Sequence, residues 1–411
     1  MLCANRGKQL LFLSLVVVLT ACGKQTPATD AGANKGSAAV TPNPNLPPLP
    51  VEESGHSASL PQDYPQSWFL VDDVAFHHML DGKVTIIDAA ADSVPKQYKG
   101  MINVALVGNV GFSARRHEIY AVETFYSRGN RGERTDVLTI YDTRSLSPVG
   151  EVVWPKPKRF MGMPERYAVT LLDNDRLLLA FNFTPATSVT VINLDTRQIV
   201  NDVETPGCSL MYPTGRLGFT SICADGGLLS TELDADGKTV KQTRLPPFFN
   251  SDTAPVFERP AIINNTAYFF GFAGLVHSVN LSGAVARVGD SWQLVPEAER
   301  GKNWRPGGIA IVDTDTKGRF YILMHPDGHE GTQNSGGSEV WVYDGATRQR
   351  VARITLKTWG LSVAVGGGDK PLLLVTDADM KLDVYDADSG KYLRTLDGVG
   401  LETPLMAYGV K

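Results

Sequence analysis

One short pattern recurs seven times along this chain: an alternating apolar run, a turn, and then a second run. Its fullest form is EVWVYDGATRQRVAR at residues 339–353. The other apolar runs are 84–88, 138–142, 189–195, 229–234, 276–281 and 382–386. Neighbouring copies lie roughly 40 to 60 residues apart, a spacing that indicates a propeller or a solenoid.

Each copy predicts a β-hairpin. Val, Ile, Tyr and Thr suit a half-buried pleated surface. Asp followed by small polar residues and Gly forms a tight turn. We expect an inner strand before most copies, at residues 118–122, 176–180, 266–270, 319–323 and 371–375.

An isolated hairpin cannot bury its apolar face, whereas four-stranded sheets stacked around an axis can. The repeat therefore predicts an all-β fold, a seven-bladed β-propeller. A pair of all-β sandwiches is the alternative. We place this domain at residues 65–411 and expect the run that starts at Trp68 to share a sheet with the C-terminal segment near Tyr408.

The N-terminus carries targeting signals. Residues 1–22 have a basic start, an apolar stretch and the sequence LTAC at 19–22, which matches the lipobox of a bacterial lipoprotein signal peptide. An ordinary secretory signal is the alternative. Lipidation of Cys22 would anchor the protein to a membrane. We expect a periplasmic location, at the outer rather than the inner membrane, because Gly23 and not Asp follows Cys22.

Residues 23–64 are rich in Pro, Ala and Gly and hold few large apolar side chains. Such a segment cannot offset its own ordering entropy, so we predict a disordered tether. An arm that packs on a partner is the alternative.

The chain has four cysteines and a formal net charge of -5. With Cys3 in the signal peptide and Cys22 lipidated, Cys208 and Cys223 remain. Because an exported protein reaches an oxidising compartment, we predict a disulfide between them. The mild acidity argues against a nucleic-acid partner.

A search for catalytic motifs finds none. CxxCH, GxSxG and the Walker A pattern are absent from the sequence. The polar stretch from His325 to Gly337 offers His325, Asp327, His329 and Glu330 as metal ligands, but we predict no metal site. Contact with a partner is the interpretation we favour, because long loops usually serve a function.

Two further stretches suit a binding surface. One places Arg128, Arg131, Arg134 and Asp136 between two predicted strands, although a solvated charged hairpin is equally consistent with it. The other joins Trp304 to Arg305 before a Pro-Gly-Gly turn, and Trp and Arg are favoured at interface hot spots.

These stretches also carry a resemblance. RGERTDVLTIYD at 131–142, the Cys-containing segment 206–226, WRPGG at 304–308 and the segment 325–344 resemble the heavy subunit of bacterial quinoprotein amine dehydrogenases, the methylamine and aromatic amine dehydrogenase family. The resemblance covers residues 67–400. The lipobox and tether depart from the soluble periplasmic form usual for this family.

The resemblance implies that this chain holds neither cofactor nor catalytic residues. In the family, a small subunit carries tryptophan tryptophylquinone, and two of each subunit form a heterotetramer. Primary amines become aldehyde and ammonia, and electrons pass to a blue copper protein or a cytochrome. The heavy subunit supplies one wall of the substrate channel, a role the resemblance assigns to Phe112, although a core position is equally consistent with this residue. It places Arg128, Arg131, Arg134, Asp136, Trp304, Arg305, His325 and His329 at the subunit interface.

Two other functions remain open. The lipobox, the tether and the lack of catalytic residues also fit a non-enzymatic, lipid-anchored propeller scaffold in envelope assembly. A propeller hydrolase or lactonase with a central metal is the third possibility.

Overall fold

The computed structural model describes residues 59–160, 162–400 and 402–411. The predicted signal peptide, the lipidation site Cys22 and the tether up to residue 58 lie outside these ranges. The described residues form an all-β fold with almost no helix, arranged as a β-propeller, as the repeat predicts. The helical pieces are α1 (Val94–Gln97) and two 3-10 turns, Met79–Asp81 and Glu297–Lys302.

Twenty-eight strands follow one another along the described chain. They are β1 Trp68–Asp73, β2 Lys83–Asp88, β3 Tyr98–Asn103, β4 Asn109–Ser113, β5 Glu118–Arg128, β6 Arg131–Asp142, β7 Pro148–Val153, β8 Val169–Leu172, β9 Leu177–Asn182, β10 Ser188–Asn193, β11 Gln198–Glu204, β12 Cys208–Pro213, β13 Gly218–Cys223, β14 Leu228–Leu233, β15 Thr239–Leu245, β16 Ala261–Ile263, β17 Thr266–Phe270, β18 Leu275–Asn280, β19 Arg287–Gln293, β20 Arg305–Pro306, β21 Val312–Thr314, β22 Arg319–His325, β23 Gly337–Asp344, β24 Arg350–Val365, β25 Leu372–Asp377, β26 Leu382–Asp386, β27 Tyr392–Leu396 and β28 Pro404–Gly409.

Five separate four-stranded sheets form blades, with the orders β28-β1-β2-β3, β4-β5-β6-β7, β8-β9-β10-β11, β12-β13-β14-β15 and β16-β17-β18-β19. The prediction of seven separate blades is therefore wrong, because the remaining strands, β20 to β27, form one eight-stranded sheet. The physical cause is β24, a strand of 16 residues that pairs with β23 through its first half and with β25 through its second.

The seven repeated phrases all form β-strands, at β2, β6, β10, β14, β18, β23 and β26. Each pairs antiparallel with the strand that follows it, so the predicted hairpins are confirmed. The predicted inner strands are β5, β9, β17, β22 and β25, but they are not innermost. A further strand precedes each of them, and four of these, β4, β8, β16 and β21, have only three to five residues. These strands are too short to produce a recognisable alternating pattern in the sequence.

The ring closes as expected. β28, at the C-terminal end of the described chain, pairs antiparallel with β1, with Val71 opposite Ala407 and Leu70 opposite Tyr408. Tyr64, one residue before the predicted domain boundary, is already buried, and its hydroxyl donates to the carbonyl of Thr143 over 2.6 Å.

The apolar core lies between neighbouring sheets. Alternate residues of β1 show the arrangement: Leu70 packs in one cluster with Ile119 of β5, whereas Phe69 packs in another with Leu374 of β25. Because successive strand residues face opposite sides, each blade buries both of its faces. Stacking of blades is thus what the alternating apolar runs require. Within the described residues, no helix is long and apolar enough to cross a membrane.

The predicted disulfide is confirmed. Cys208 of β12 and Cys223 of β13 lie directly opposite each other in register and are bonded, with an S–S distance of 2.07 Å. The two residues are 15 positions apart in the chain.

We expect replacement of both cysteines by serine to lower the free energy of unfolding by about 3 kcal/mol, because the unfolded chain would lose a closed loop. Urea titration of the double variant against the oxidised wild-type protein measures the difference. Wild-type protein reduced with dithiothreitol should match the variant. Equal unfolding of all three samples would contradict the expectation.

Candidate partner-binding face

Successive connections in an antiparallel sheet alternate between its two ends. We call the end that carries the β5–β6 hairpin tip, residues 128–131, the upper face. The long connections of the described chain lie there, at residues 154–168, 246–260, 294–304 and 326–336. Binding residues in β-folds are concentrated on such connections.

The Arg-rich stretch is a hairpin, as predicted. Arg128 and Arg131 pair at its tip, and both side chains are exposed. Arg134 lies further down the hairpin and forms an ion pair with Asp136, with Nε 2.9 Å from Oδ1. Asp136 has no exposed surface, so any contribution that it makes to an interface is indirect. Of the four residues predicted at an interface on this hairpin, the two tip arginines are the exposed ones.

Asp136 organises the connection that follows β7. Its Oδ2 accepts hydrogen bonds from the backbone N–H groups of Lys158, over 2.7 Å, and Arg159, over 2.9 Å. Burial by itself raises the pKa of Asp136, but the bonds from Arg134, Thr124 and these N–H groups outweigh it and lower the pKa. The carboxylate therefore stays charged and fixes residues 158–159.

Arg159 continues the same network. Its side chain is almost fully buried and donates to Thr124 Oγ1 and to the carbonyls of Val107, over 3.2 Å, and Phe160, over 2.7 Å. One buried guanidinium thus joins the connection after β7 to the connection before β4. Removing a partner from a buried charge is costly, so this part of the upper face is held firmly.

Beyond Arg159 the chain reaches the axis of the ring. Glu165 accepts a bond from Arg259 Nε over 2.7 Å, and its backbone N–H donates to Asn109 Oδ1 over 2.9 Å. Arg259 also donates to the carbonyl of Ile309. Burial raises the pKa of Glu165, and the ion pair with Arg259 opposes that rise. Connections from three sheets meet at this pair.

A second charged group lies next to it on the axis. Arg166 Nη1 is 2.9 Å from Asp313 Oδ1, and Lys411 Nζ is 2.8 Å from the same oxygen. Asp313 Oδ2 accepts the backbone N–H of Val365 over 2.8 Å. Burial raises the pKa of Asp313, but Arg166 and Lys411 outweigh it and lower the pKa to about 2.

Two cavities open on the upper face. One of about 580 Å³ is lined by Glu165, Arg259, Phe272, Gln333 and Asn334 among others. The other, of about 510 Å³, is mostly apolar and is lined by Phe160, Phe181, Phe183, Phe249 and the disulfide. Glu165 and Glu258 line both, so the two cavities adjoin near the axis.

The Trp304–Arg305 stretch is packed into this face. Trp304 is 7% exposed, and its ring lies 5.3 Å from that of Trp341. Arg305 lies over the ring of Phe272, with Cζ 4.8 Å from its centroid. Arg305 is half-buried, whereas Trp304 contributes to the core and presents little surface to a partner.

The predicted loop at residues 326–336 joins β22 to β23. His325 is buried at the end of β22, with Nε2 2.9 Å from Thr332 Oγ1, and burial lowers its pKa. His329 is exposed, with Nδ1 3.0 Å from the carbonyl of Asp327. In the described part of the chain, no group of three or more His, Cys, Asp or Glu residues is arranged to hold a metal ion.

Phe112 lies away from the other predicted site residues. It belongs to the innermost strand β4 and pairs with Ile119 at the lower end of the sheet. Its ring stacks on Tyr64 at 5.7 Å, and it lines a cavity of about 450 Å³ beside Arg166 and Tyr408. The structure thus separates Phe112 from the hairpin tip by the length of β5. Its role as a channel wall stays a prediction.

Exposed apolar residues also mark the upper face. Phe76, Met79 and Leu80 lie in the connection between β1 and β2, each between 36% and 39% exposed. A Cβ atom at Gly129 would lie 3.8 Å from Leu80 Cδ1, so this apolar group is next to the hairpin tip. We call Phe76, Met79 and Leu80, together with residues 128–131, the tip patch.

The sequence analysis missed Arg159, Glu165 and Arg259, which hold the upper face together. These residues lie in connections without a repeat, where spacing carries no information. A charged residue in an otherwise apolar connection, as at FMGMPERYAV (160–169), is the one signal that could have drawn attention to them.

We expect Asp136→Asn to lower the free energy of unfolding by about 2 kcal/mol, since it weakens bonds to a buried charged acceptor. Hydrogen exchange should become faster at the amides of residues 158–160. Glu133→Gln, an exposed carboxylate on the same hairpin, is the matched control and should leave both measurements unchanged. Unaltered exchange at 158–160 in the Asp136 variant would contradict the network.

The low pKa of Asp313 predicts a pH dependence. A carboxyl whose folded pKa is below its unfolded value stabilises the fold above the unfolded pKa and loses that contribution as pH falls through the folded one. With a folded pKa of about 2, the loss falls between about pH 4 and pH 2 and amounts to about 2 kcal/mol. Asp313→Asn should therefore unfold more readily than wild type at pH 7, and the difference should shrink below pH 4. A difference that is independent of pH would refute this assignment.

Comparison with known proteins identifies the family. The family model of the methylamine dehydrogenase heavy chain matches residues 67–408. The methylamine dehydrogenase heavy chain of Methylophilus methylotrophus is 27% identical over 313 residues, which is 75% of this chain and 76% of that one. The heavy chain of Methylorubrum extorquens is 24% identical over 326 residues, 79% of this chain and 76% of its own length.

Among solved structures, dihydro-heme d1 dehydrogenase NirN aligns with a TM-score of 0.50 at 17% identity, over 85% of this chain and 76% of that one. A likeness at that identity concerns the fold alone. The family match runs from the first strand to the last, through the Arg-rich hairpin, the disulfide and the Trp304–Arg305 stretch. The chain therefore belongs to the methylamine dehydrogenase heavy chain family.

Proposed function

We propose that this chain is the large subunit of an amine dehydrogenase whose tryptophan tryptophylquinone is carried by a separate small subunit. The observation that supports this most is the family match across residues 67–408, nearly the whole described domain. When bound, the quinone supplies the oxidation of a primary amine to aldehyde and ammonia. Electrons then pass to a blue copper protein or a cytochrome.

In this proposal the large subunit binds and shields its partner. The tip patch combines exposed apolar side chains with the guanidiniums of Arg128 and Arg131. Aromatic residues, Met and Arg are the types enriched at protein interfaces. The buried network of Asp136 and Arg159 holds the base of the same hairpin. The backbone below the tip therefore loses little conformational entropy when a partner binds.

The two upper-face cavities suit a second role. Glu165 and Glu258 line both cavities and the smaller one is otherwise mostly apolar, so together they offer a partner an apolar surface with a few charged groups. A small subunit seated on this face would close them from solvent. Exclusion of water from a carbonyl-type cofactor is a contribution that a protein wall can make.

Lipidation and export remain part of the proposal, supported by LTAC at residues 19–22. Cys22→Ser should abolish labelling by radioactive palmitate and release the protein from membranes. Labelling that persists in the variant would contradict a lipid anchor at Cys22.

The deciding experiment isolates the protein from its native membranes in mild detergent. We expect a small Cys-rich chain to accompany it, with a visible quinone absorption band that added primary amine bleaches. A colourless single chain would overturn the proposal and would favour the lipid-anchored scaffold.

The tip patch is tested by reversing its charge. Arg128→Glu with Arg131→Glu should reduce recovery of the small chain about tenfold, because wrong-sign charges at an interface slow association and repel the partner. Arg144→Glu, an exposed arginine at the opposite end of the same sheet, should recover it normally. Equal recovery of the small chain with all variants would show that the tip patch is not the interface.

A further inference from the structure

A small polar pocket on the upper face is distinct from the two cavities described above. It has a volume of about 180 Å³ and lies where the 3-10 turn Glu297–Lys302 meets β20. Gln293, Arg300, Asn303, Trp304 and Arg305 supply its polar lining. All five bring N–H donors, the amides of Gln293 and Asn303 also carry an acceptor oxygen, and no carboxylate lines the pocket.

The indole of Trp304 lacks an acceptor. Its Nε1 is buried and has no hydrogen-bond partner among the described residues, although the residue lines the pocket. A buried N–H without a partner costs free energy comparable to a lost hydrogen bond. Native proteins rarely leave one unmatched, and an acceptor in the pocket would satisfy it.

The two guanidiniums also lack counter-charges. Neither Arg300 nor Arg305 forms an ion pair with any residue that the structure describes. Glu299, which neighbours Arg300 in sequence, is committed elsewhere: its Oε2 accepts from Arg350 and Arg353 at 3.1 Å each. Arg305 is half-buried and Arg300 is exposed, and neither guanidinium is paired with a carboxylate of the described residues.

Arg305 is also held in place. Its guanidinium lies over Phe272, with Cζ 4.8 Å from the ring centroid. The neighbouring loop packs so closely on its aliphatic stem that a Cβ at Gly328 would lie 2.5 Å from Arg305 Cγ. A donor fixed by packing loses little entropy when it binds, which is the property of a built site rather than of a mobile surface arginine.

We propose that this pocket binds an oxyanion, through Arg300, Arg305 and the Nε1–H of Trp304. Planar guanidinium forks match carboxylate and other oxyanions, and charge-assisted bonds are the stronger kind. The oxyanion is either a free ion or metabolite, or a Glu or Asp side chain that a partner inserts. This site does not depend on the proposed dehydrogenase function.

The indole resonance of Trp304 reports on binding. The chain has 6 tryptophans, so 15N-labelled tryptophan gives few indole signals, and Trp304→Phe assigns one of them. Titration with sulfate, and separately with acetate, at constant ionic strength set with chloride should shift the Trp304 signal in a saturable way. Absence of a saturable shift with both ions would overturn the proposal.

Charge removal provides the second test. Arg300→Gln with Arg305→Gln should weaken the binding of sulfate or acetate about tenfold or more, since charge-assisted bonds are lost. Arg287→Gln, an exposed arginine at the other end of β19, is the matched control and should bind as wild type does. Equally weakened anion binding in the control would show that the net positive charge attracts the anion non-specifically, and would refute a specific site.

A third experiment distinguishes the two sources of the oxyanion. If a partner chain inserts a carboxylate, addition of that chain should shift the Trp304 signal, and acetate should compete with the chain for the pocket. If the ligand is a free ion, sulfate or acetate should bind whether or not the partner is present. Either result supports the site, whereas a shift of other indole signals alone refutes it.

Discussion

Closure of the ring by β1 and β28 is the constraint on which the rest of this structure depends. An open sheet exposes unpaired backbone groups at its edges, and a ring of blades whose ends do not meet would leave a cleft along its core. Pairing of residues 69–73 with residues 404–409 joins segments more than 300 positions apart in one blade. This pairing delays completion of the core until the whole chain is present, since long-range contacts form slowly.

Buried charge provides the second level of organisation. The pairs Glu165–Arg259 and Arg166–Asp313 join segments that are distant in sequence, and the pair Arg134–Asp136 fixes the base of the Arg-rich hairpin. Each is costly to break because a single buried charge would remain. The apolar stacking of blades fixes where the strands lie, and these pairs fix the loops above them.

The sequence predicted what depends on local periodicity. The seven hairpins, the Cys208–Cys223 disulfide, ring closure and family membership all follow from alternating runs, spacing or quoted motifs. Asp136 was expected at an interface and is instead fully buried, because the sequence pattern RGERTD cannot show what faces inward across a sheet. Arg159 and Trp304 were missed or misjudged for the same reason: their roles are set by residues that are distant in sequence. The blade count failed at β24, where continuity between two sheets leaves no turn signal.

The continuity of β24 has a mechanical consequence. Neighbouring blades elsewhere in the ring are separate sheets, whereas β20 to β27 belong to one hydrogen-bonded sheet. Opening β24 would disturb its pairing with β23 and with β25 together, so we expect the strands on both sides of it to unfold as one cooperative unit. Trp359, near the middle of β24, is exposed on the upper face. A partner that binds Trp359 would therefore contact the strand shared by both halves of the sheet.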